Sequence, residues 1–380
     1  MTVRIEQVTT KKDLKRFIRF NYEFYKTCPY SVPDLYDDML NTFSPKKNAA
    51  FEFCQAALFL AYSEQGDIVG RVAAIINRRA NETWQKKAVR FGWIDFVDDI
   101  DVSRALIDTV KTWGREHGMT EIEGPLGFTD LDAEGMLIEG FDQKSMFITY
   151  YNHPYYLAHL ERLGYVKDVD WVEFLIDIPA PEDPITEKLD RLAQRVERMT
   201  KLHVAKLKCR RDYKPYVRKV FDLINLCYAH LYGTVDLSDE QIKKYADKFI
   251  PLINPELACF VLDENENLVA FCVTAPSMAA AIKKHNGHMF PLGFIDILKA
   301  LKVNDTLDLY LIAVHPDYRN RGVNAILMNH VLKGCHQMGI TVAETGPQLE
   351  TNEKIQNQWS MFKYRNHKKR RCWVKQLSNT

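Results

Sequence analysis

Nowhere in this chain do two cysteines stand two residues apart: Cys28, Cys54, Cys209, Cys227, Cys259, Cys272, Cys335 and Cys372 are scattered. That excludes a zinc site built on cysteine pairs, and the scatter gives no disulfide framework. Free thiols in a reducing cytosol are the expected state. Long apolar runs are missing too, none approaching the length that spans a bilayer. The opening residues, MTVRIEQVTTKKDLKRF, carry charges where a secretory signal needs an apolar core, so a cytoplasmic protein is expected. Nor is one charge in excess: a formal net charge of +1 supplies no overall attraction to nucleic acid or membrane, and any basic site has to be local. What is there is globular. With 380 residues, 46% hydrophobic and 27% charged, the chain can build two domains, each with its own core.

The most informative stretch is Leu307 to Gly339. Leu307 to Val314 is an apolar, β-forming run of strand length, broken by His315-Pro316-Asp317. From Val323 the apolar residues Val323, Ile326, Leu327, Val331 and Leu332 recur at helical spacing, so a strand feeds a helix through a short loop carrying Arg319, Arg321 and Gly322. The first N–H groups of a helix lack partners and lie at the positive end of its dipole, which suits an anion. Gly322 leaves room for its approach, and the two arginines add charge-assisted hydrogen bonds matched to phosphate oxygens. From the residues alone, the segment is either that anion site or a plain strand–turn–helix with solvated arginines.

The loop Arg319-Asn320-Arg321-Gly322-Val323-Asn324, approached through Val314-His315-Pro316-Asp317-Tyr318, resembles motif A of the GNAT superfamily of acyl-CoA-dependent N-acyltransferases. In that family a [Q/R]-x-x-G-x-[G/A] loop holds the coenzyme A pyrophosphate. Asn324 stands where the family prefers Gly or Ala, and its side chain takes room near the phosphates. The resemblance implies acetyl-CoA or another acyl-CoA as co-substrate. It also implies a strand that splays from its neighbour, with the backbone N–H groups of Ile312, Ala313 and Val314 meeting the thioester.

The rest of the chain follows the same element order twice. Val3 to Val8 alternates like a strand, Lys11 to Lys26 has helical spacing, and Ala57 to Tyr62 with Ile68 to Ile76 form a hairpin. Val89 to Val97 is a strand, Ser103 to His117 a helix and Thr120 to Glu123 a strand, followed by a glycine- and acid-rich segment read as irregular. Tyr155 to Leu163 is helical and Trp171 to Ile178 a closing strand, and Leu160-Glu161-Arg162-Leu163-Gly164-Tyr165 is similar to a late Y-E-K-L-G-F segment of the family. Pro179-Ala180-Pro181-Glu182-Asp183-Pro184 reads as a linker, with a helix from Ile185 to Met199 packing between the halves. Leu202 to Lys208, Tyr216 to Leu231, Ser238 to Phe249 and a hairpin of Leu257 to Leu262 with Leu268 to Thr274 repeat the series. The expectation is an α/β chain of mixed-sheet type: two GNAT-like domains in tandem, 1–180 and 185–380, each a twisted, mostly antiparallel sheet flanked by helices.

The first copy reads as degenerate. Where the coenzyme loop would lie it has Asp98-Asp99-Ile100-Asp101, whose carboxylates either repel a pyrophosphate or cap the following helix, and both can hold. Residues 276–305 are an extra piece, either a wall of the acceptor pocket or surface decoration. The tail Lys363 to Lys375, basic at its centre His367 to Arg371, reads as a solvated turn or as charge facing the coenzyme 3′-phosphate, with a final strand accounting for Cys372, Trp373 and Val374.

Amide formation from a thioester needs a deprotonated amine, a donor to the carbonyl oxygen and an acid for the departing thiolate. In some family members a carboxylate early on the splayed strand serves as base, and Asp308 falls there; alternation puts Tyr310 on the same face. The other reading is a solvated strand-start Asp308 and a core Tyr310. Glu344 and Glu350 are candidate bases or amine-binding groups, or else caps and solvated acids. Asn352 matches an Asn that opens a helix in the family, but seven residues on, where a Tyr can protonate the thiolate, stands Trp359. Tyr364 is the substitute acid if the backbone brings it round. No metal, nucleic acid or membrane span is expected. An acyl-CoA and a small amine-bearing acceptor are the partners, and a homodimer is one arrangement the sequence allows. A non-catalytic coenzyme-binding protein is the alternative. Transfer from aminoacyl-tRNA, as in tandem-GNAT peptide-bridge enzymes, is a weaker fit to a near-neutral chain.

Overall fold

The structure is a computed structural model that describes residues 2–377. In chain order the first elements are β1 (Arg4–Gln7), α1 (Lys11–Phe24), α2 (Tyr36–Thr42), β2 (Cys54–Tyr62), β3 (Ile68–Asn77) and α3 (Arg78–Thr83). Next come β4 (Ala88–Phe96), α4 (Ile100–Glu116), β5 (Glu121–Gly124), β6 (Met136–Glu139), α5 (Tyr155–Arg162) and β7 (Val166–Asp177). The second half holds α6 (Pro184–Thr200), β8 (His203–Val204), α7 (Val217–Tyr228), α8 (Asp239–Phe249), β9 (Cys259–Leu262) and β10 (Leu268–Pro276). It continues through α9 (Ala279–Lys284), α10 (Gly293–Ala300), β11 (Thr306–Val314), α11 (Val323–Met338), β12 (Val342–Thr345), β13 (Gln348–Leu349), α12 (Glu353–Asn357) and β14 (Tyr364–Gln376).

These elements form two compact units, Met1–Val172 with Ala279–Phe294 and Lys368–Thr380, and Glu173–Met278 with Ile295–His367. In the first unit β1, β2, β3 and β4 pair antiparallel, β4 and β5 parallel, and β5 antiparallel to the end of β14. The second repeats the pattern: β8, β9, β10 and β11 antiparallel, β11 and β12 parallel, and β12 antiparallel to Leu175–Asp177 of β7. The strand that closes each sheet is therefore the one that, by chain order, ends the other half. This exchange, with residues 279–294, is why the units depart from a single cut at 180–185.

Alternation along the strands builds the first unit's two apolar faces. Phe59, Ala61, Val72, Ala74 and Phe91 pack with Leu106 and Val110 of α4, while Leu60, Tyr62, Ala73 and Ile75 pack with Phe17 and Ile18 of α1. Trp93, at φ 44°, breaks the alternation in β4 and lies on the α1 face. In the second unit α6 packs on α11 through Leu189, Ala325 and Leu332. Asp183 caps α6, accepting from Ile185 N at 2.8 Å, and Asp190 on α6 accepts from Asn329 and Lys333 of α11.

Two further expectations change. The segment after Gly124 is not wholly irregular, because β6 lies within it and pairs with β14. The basic run is neither a solvated turn nor turned to a 3′-phosphate. It belongs to β14, where Lys368 Nζ donates to Lys144 O, Arg370 Nη1 to Tyr150 O, and Arg371 grips Asp170 with two bonds of 2.8 and 3.0 Å.

Candidate active site

The strand β11 carries the site because its two edges are treated differently. Its pairing with β10 runs to Val314, whereas its parallel register with β12 stops at Leu309↔Thr345. Tyr310 is the extra residue of a bulge opposite Val273/Thr274, at the point where β12 is released. Beyond it the carbonyls of the freed segment are held by side chains. Tyr228 Oη donates to Ile312 O at 2.9 Å, and Cys227 Sγ and Arg319 Nε reach Val314 O at 3.4 and 3.2 Å.

At the end of β11 a short turn, Pro316–Tyr318, leads to Asn320 at φ 62° and Gly322 at φ 79°, from which α11 starts. No side chain caps this helix among the described residues. Arg319, Asn320, Arg321, Gly322 and Asn324 are exposed while Val323 is buried, and the Arg321 guanidinium lies 5.4 Å from the centre of the Tyr318 ring. A Cβ at position 322 would stand 2.7 Å from Val196 Cγ2, so the turn requires glycine for its space as well as its backbone. An uncapped helix start beside two exposed arginines fits a diphosphate. In the first unit the corresponding helix, α4, is closed by its own chain. Asp99 accepts from Asp101 N at 2.8 Å, and Asp98 meets His159 Nε2 at 3.0 Å.

A buried polar cluster lies where β11 and β12 part. Asp308 and Glu344 are opposite each other in register, and Asp308 is fully buried. Tyr310 Oη donates to Asp308 Oδ2 at 3.1 Å, so the carboxylate and phenol expected on one face do meet. Burial, then the charges of Asp308 and Glu344, push the Tyr310 hydroxyl well above its ordinary range and keep it a donor. Two residues the sequence reading did not single out complete the cluster. Glu173 of β7 is fully buried, and the ring of His367, at the start of the basic run, comes within 3.4 Å of Glu344 Oε1. Donor atoms of Glu173, Glu344 and His367 all lie within 4.8 Å of one another, a spacing at which they could share a proton or a cation. One signal for Glu173 was visible: a lone acid inside the apolar run Trp171-Val172-Glu173-Phe174-Leu175-Ile176.

The other candidates lie differently. Asn352 is the N-cap of α12 and makes no side-chain cap bond. Glu350 accepts through its backbone carbonyl from Gln356 Nε2 at 3.0 Å. Trp359 is buried with its indole N–H 3.4 Å from Gln348 Oε1. Tyr364 is 43% exposed, its ring edge-on to Phe174 at 5.5 Å.

Residues 217–357 match the model of the Acetyltransferase (GNAT) family. Protein YghO of Escherichia coli (strain K12) is 27% identical over 373 residues, covering 97% of this chain and 94% of that protein. A bacterial ceramide synthase of Caulobacter vibrioides (strain NA1000 / CB15N) is 26% identical over 300 residues, 78% of this chain and 76% of that one. Among solved structures, a tandem GNAT protein from the clavulanic acid biosynthesis pathway superposes with a TM-score of 0.57 at 11% identity, covering 100% of both chains. That likeness is one of fold.

Proposed function

We infer that this chain, a tandem GNAT-fold protein whose residues 217–357 match the GNAT acetyltransferase family, is an acyl-CoA-dependent N-acyltransferase acting on an amine. One observation carries the reading: an uncapped helix start with exposed Arg319 and Arg321 adjoins a splayed strand that has a buried acid cluster at the fork. When bound, an acyl-CoA would supply an activated acyl thioester. The backbone of Arg319 to Asn324 would hold its diphosphate, with the arginines adding charge. Ile312, Ala313 and Val314 would lie along its acyl end, an arrangement in which Tyr228 has to release the carbonyl it now holds. Asp308, supported by Tyr310, would accept the amine's proton, and Glu344 with Glu173 and His367 would take it onward or hold the incoming ammonium.

Acetyl-CoA is the first donor to try. The acceptor panel includes small amines, polyamines, amino acids and, because one relative is named a ceramide synthase, a long-chain amino alcohol. Release of free thiol that depends on one of these amines supports transfer. A second reading, a coenzyme-binding protein without catalysis, is favoured by Asn324 in the loop and by Trp359, which has no proton titrating near neutral pH. Under that reading acyl-CoA binds and no amine raises thiol release above background.

A further inference from the structure

The extra segment 276–305 is anchored at its root and bare further on. Lys283 Nζ donates to Ser31 O at 2.7 Å and to Cys28 O, and Tyr36 N donates to Gly287 O at 3.0 Å, which ties residues 283–287 into the first unit. Position 287 admits only glycine, since φ is 75° and a Cβ there would meet Asp34 O at 2.3 Å. Past this anchor the side chains turn outward. Phe290, Leu292, Ile295, Leu298 and Val303 are all exposed, Phe290 by 71% and Val303 by 82%, so half of the exposed large hydrophobic side chains among the described residues stand between positions 290 and 303. A single exposed leucine is ordinary, whereas five such residues in one short stretch mark a surface that meets something apolar.

The stretch is one continuous piece of chain built on α10. Phe294 N donates to Met289 O at 2.7 Å and the Phe290 and Phe294 rings lie 5.6 Å apart before the helix; after it, Leu301 N and Val303 N donate back to Ile297 O and Lys299 O at 3.0 and 2.9 Å. Along α10 and its last turn the outward positions, at helical spacing, are Ile295, Leu298, Lys299 and Lys302, while Ile297 is buried. That face is apolar where it begins and cationic where it ends. Lysines outnumber acids four to two over residues 276–305. Of these, Lys283 is turned inward, Lys284 is exposed at the end of α9, and Lys302 makes no ion pair among the described residues. Asp296 is half-buried with an oxygen 3.8 Å from Lys299 Nζ, and Asp305 accepts from Thr306 Oγ1 at 2.9 Å. Exposed rings and aliphatic tips beside lysine stems suit a bilayer interface, where the apolar groups reach the acyl boundary and the ammonium groups stay among anionic headgroups. No helix among the described residues is long and apolar enough to cross a membrane, so such contact is with one leaflet.

We propose that residues 290–303 dock this chain on a lipid bilayer with an anionic surface, Phe290, Leu292, Ile295 and Leu298 entering the interface and Lys299 and Lys302 meeting the lipid phosphates. The docking does not depend on unit 2 being a transferase. The test is co-sedimentation of the full chain with vesicles of phosphatidylcholine alone and of equal parts phosphatidylcholine and phosphatidylglycerol. Binding to the mixed vesicles is expected, weaker by about tenfold or more on the neutral ones. Phe290→Ser/Leu298→Ser, its thermal unfolding unchanged because both side chains are exposed, should lower vesicle affinity by about tenfold or more. Lys299→Gln/Lys302→Gln should lose about as much on the mixed vesicles. Val166→Ser, at an exposed apolar position outside the segment, should leave binding unaltered. If the serine pair does not fold, the glutamine pair decides. No binding to either vesicle, equal binding to both, or a loss no greater in the two pairs than in Val166→Ser, overturns the proposal. So does a parent mass of two chains by light scattering that the serine pair reduces to one, which gives the face to a second copy.

Discussion

At position 322 the backbone has φ 79° and Val196 Cγ2 would be 2.7 Å from any Cβ, so Gly322→Ala is strained twice. A loss of about 1–3 kcal/mol in stability is expected, with weaker acyl-CoA binding, measurable by thermal unfolding and titration. Asp308 tests the chemistry. Asp308→Asn keeps an acceptor for the Tyr310 hydroxyl but removes the proposed base, so turnover should fall by about 10²–10⁴ with little change in KM for the acyl-CoA. An unchanged turnover would dismiss Asp308 as the base. Local pattern was enough to read Gly322, the two arginines and the shared face of Asp308 and Tyr310. Glu173 and His367 were out of its reach, because they join the cluster from β7 and β14, and nothing local in a strand states which distant strand will lie beside it.

The elements carry the asymmetry between the halves. Helices α4 and α11 follow equivalent strands, yet α4 begins with a carboxylate on its own amides and α11 begins bare. Asp99→Ala should cost about 1 kcal/mol as a lost cap, read as a lower denaturant midpoint, and should not create coenzyme binding, since Asp98 and Asp101 remain at that helix start and the nearby Arg104 is held by Asp101 at 2.8 Å. The acids of that turn were legible as a cap and Cys372 to Val374 as a final strand, whereas the basic residues before them were not legible as part of that strand: their charges are matched by backbone carbonyls and Asp170 of unit 1. Asp170 is buried, which raises its pKa, but Arg371, Lys369 and Lys167 outweigh that and hold it at about 2. A carboxylate whose folded pKa is depressed stabilises above its unfolded value, near 4, and loses that contribution as pH falls toward 2. Acid titration of Asp170→Asn should therefore show a flatter stability curve over that window than the parent chain, and an identical curve would contradict this.

For the molecule as a whole, the tandem order of elements was readable from periodicity, and the exchange of closing strands was not. Because unit 1 takes residues 279–294 and the end of β14 from the second half of the sequence, a fragment of residues 1–180 lacks pieces of its own sheet and packing. It should show a non-cooperative thermal transition by circular dichroism; a sharp, two-state transition would contradict the division. The central claim is that one helix start, and only in the second unit, grips a diphosphate. Calorimetric titration of acetyl-CoA and a longer acyl-CoA into the parent chain and into Arg319→Ala/Arg321→Ala measures this directly. The account predicts one site per chain, weakened about tenfold or more in the double variant. Absence of heat with both ligands at millimolar concentration, or binding indifferent to the two arginines, would contradict it.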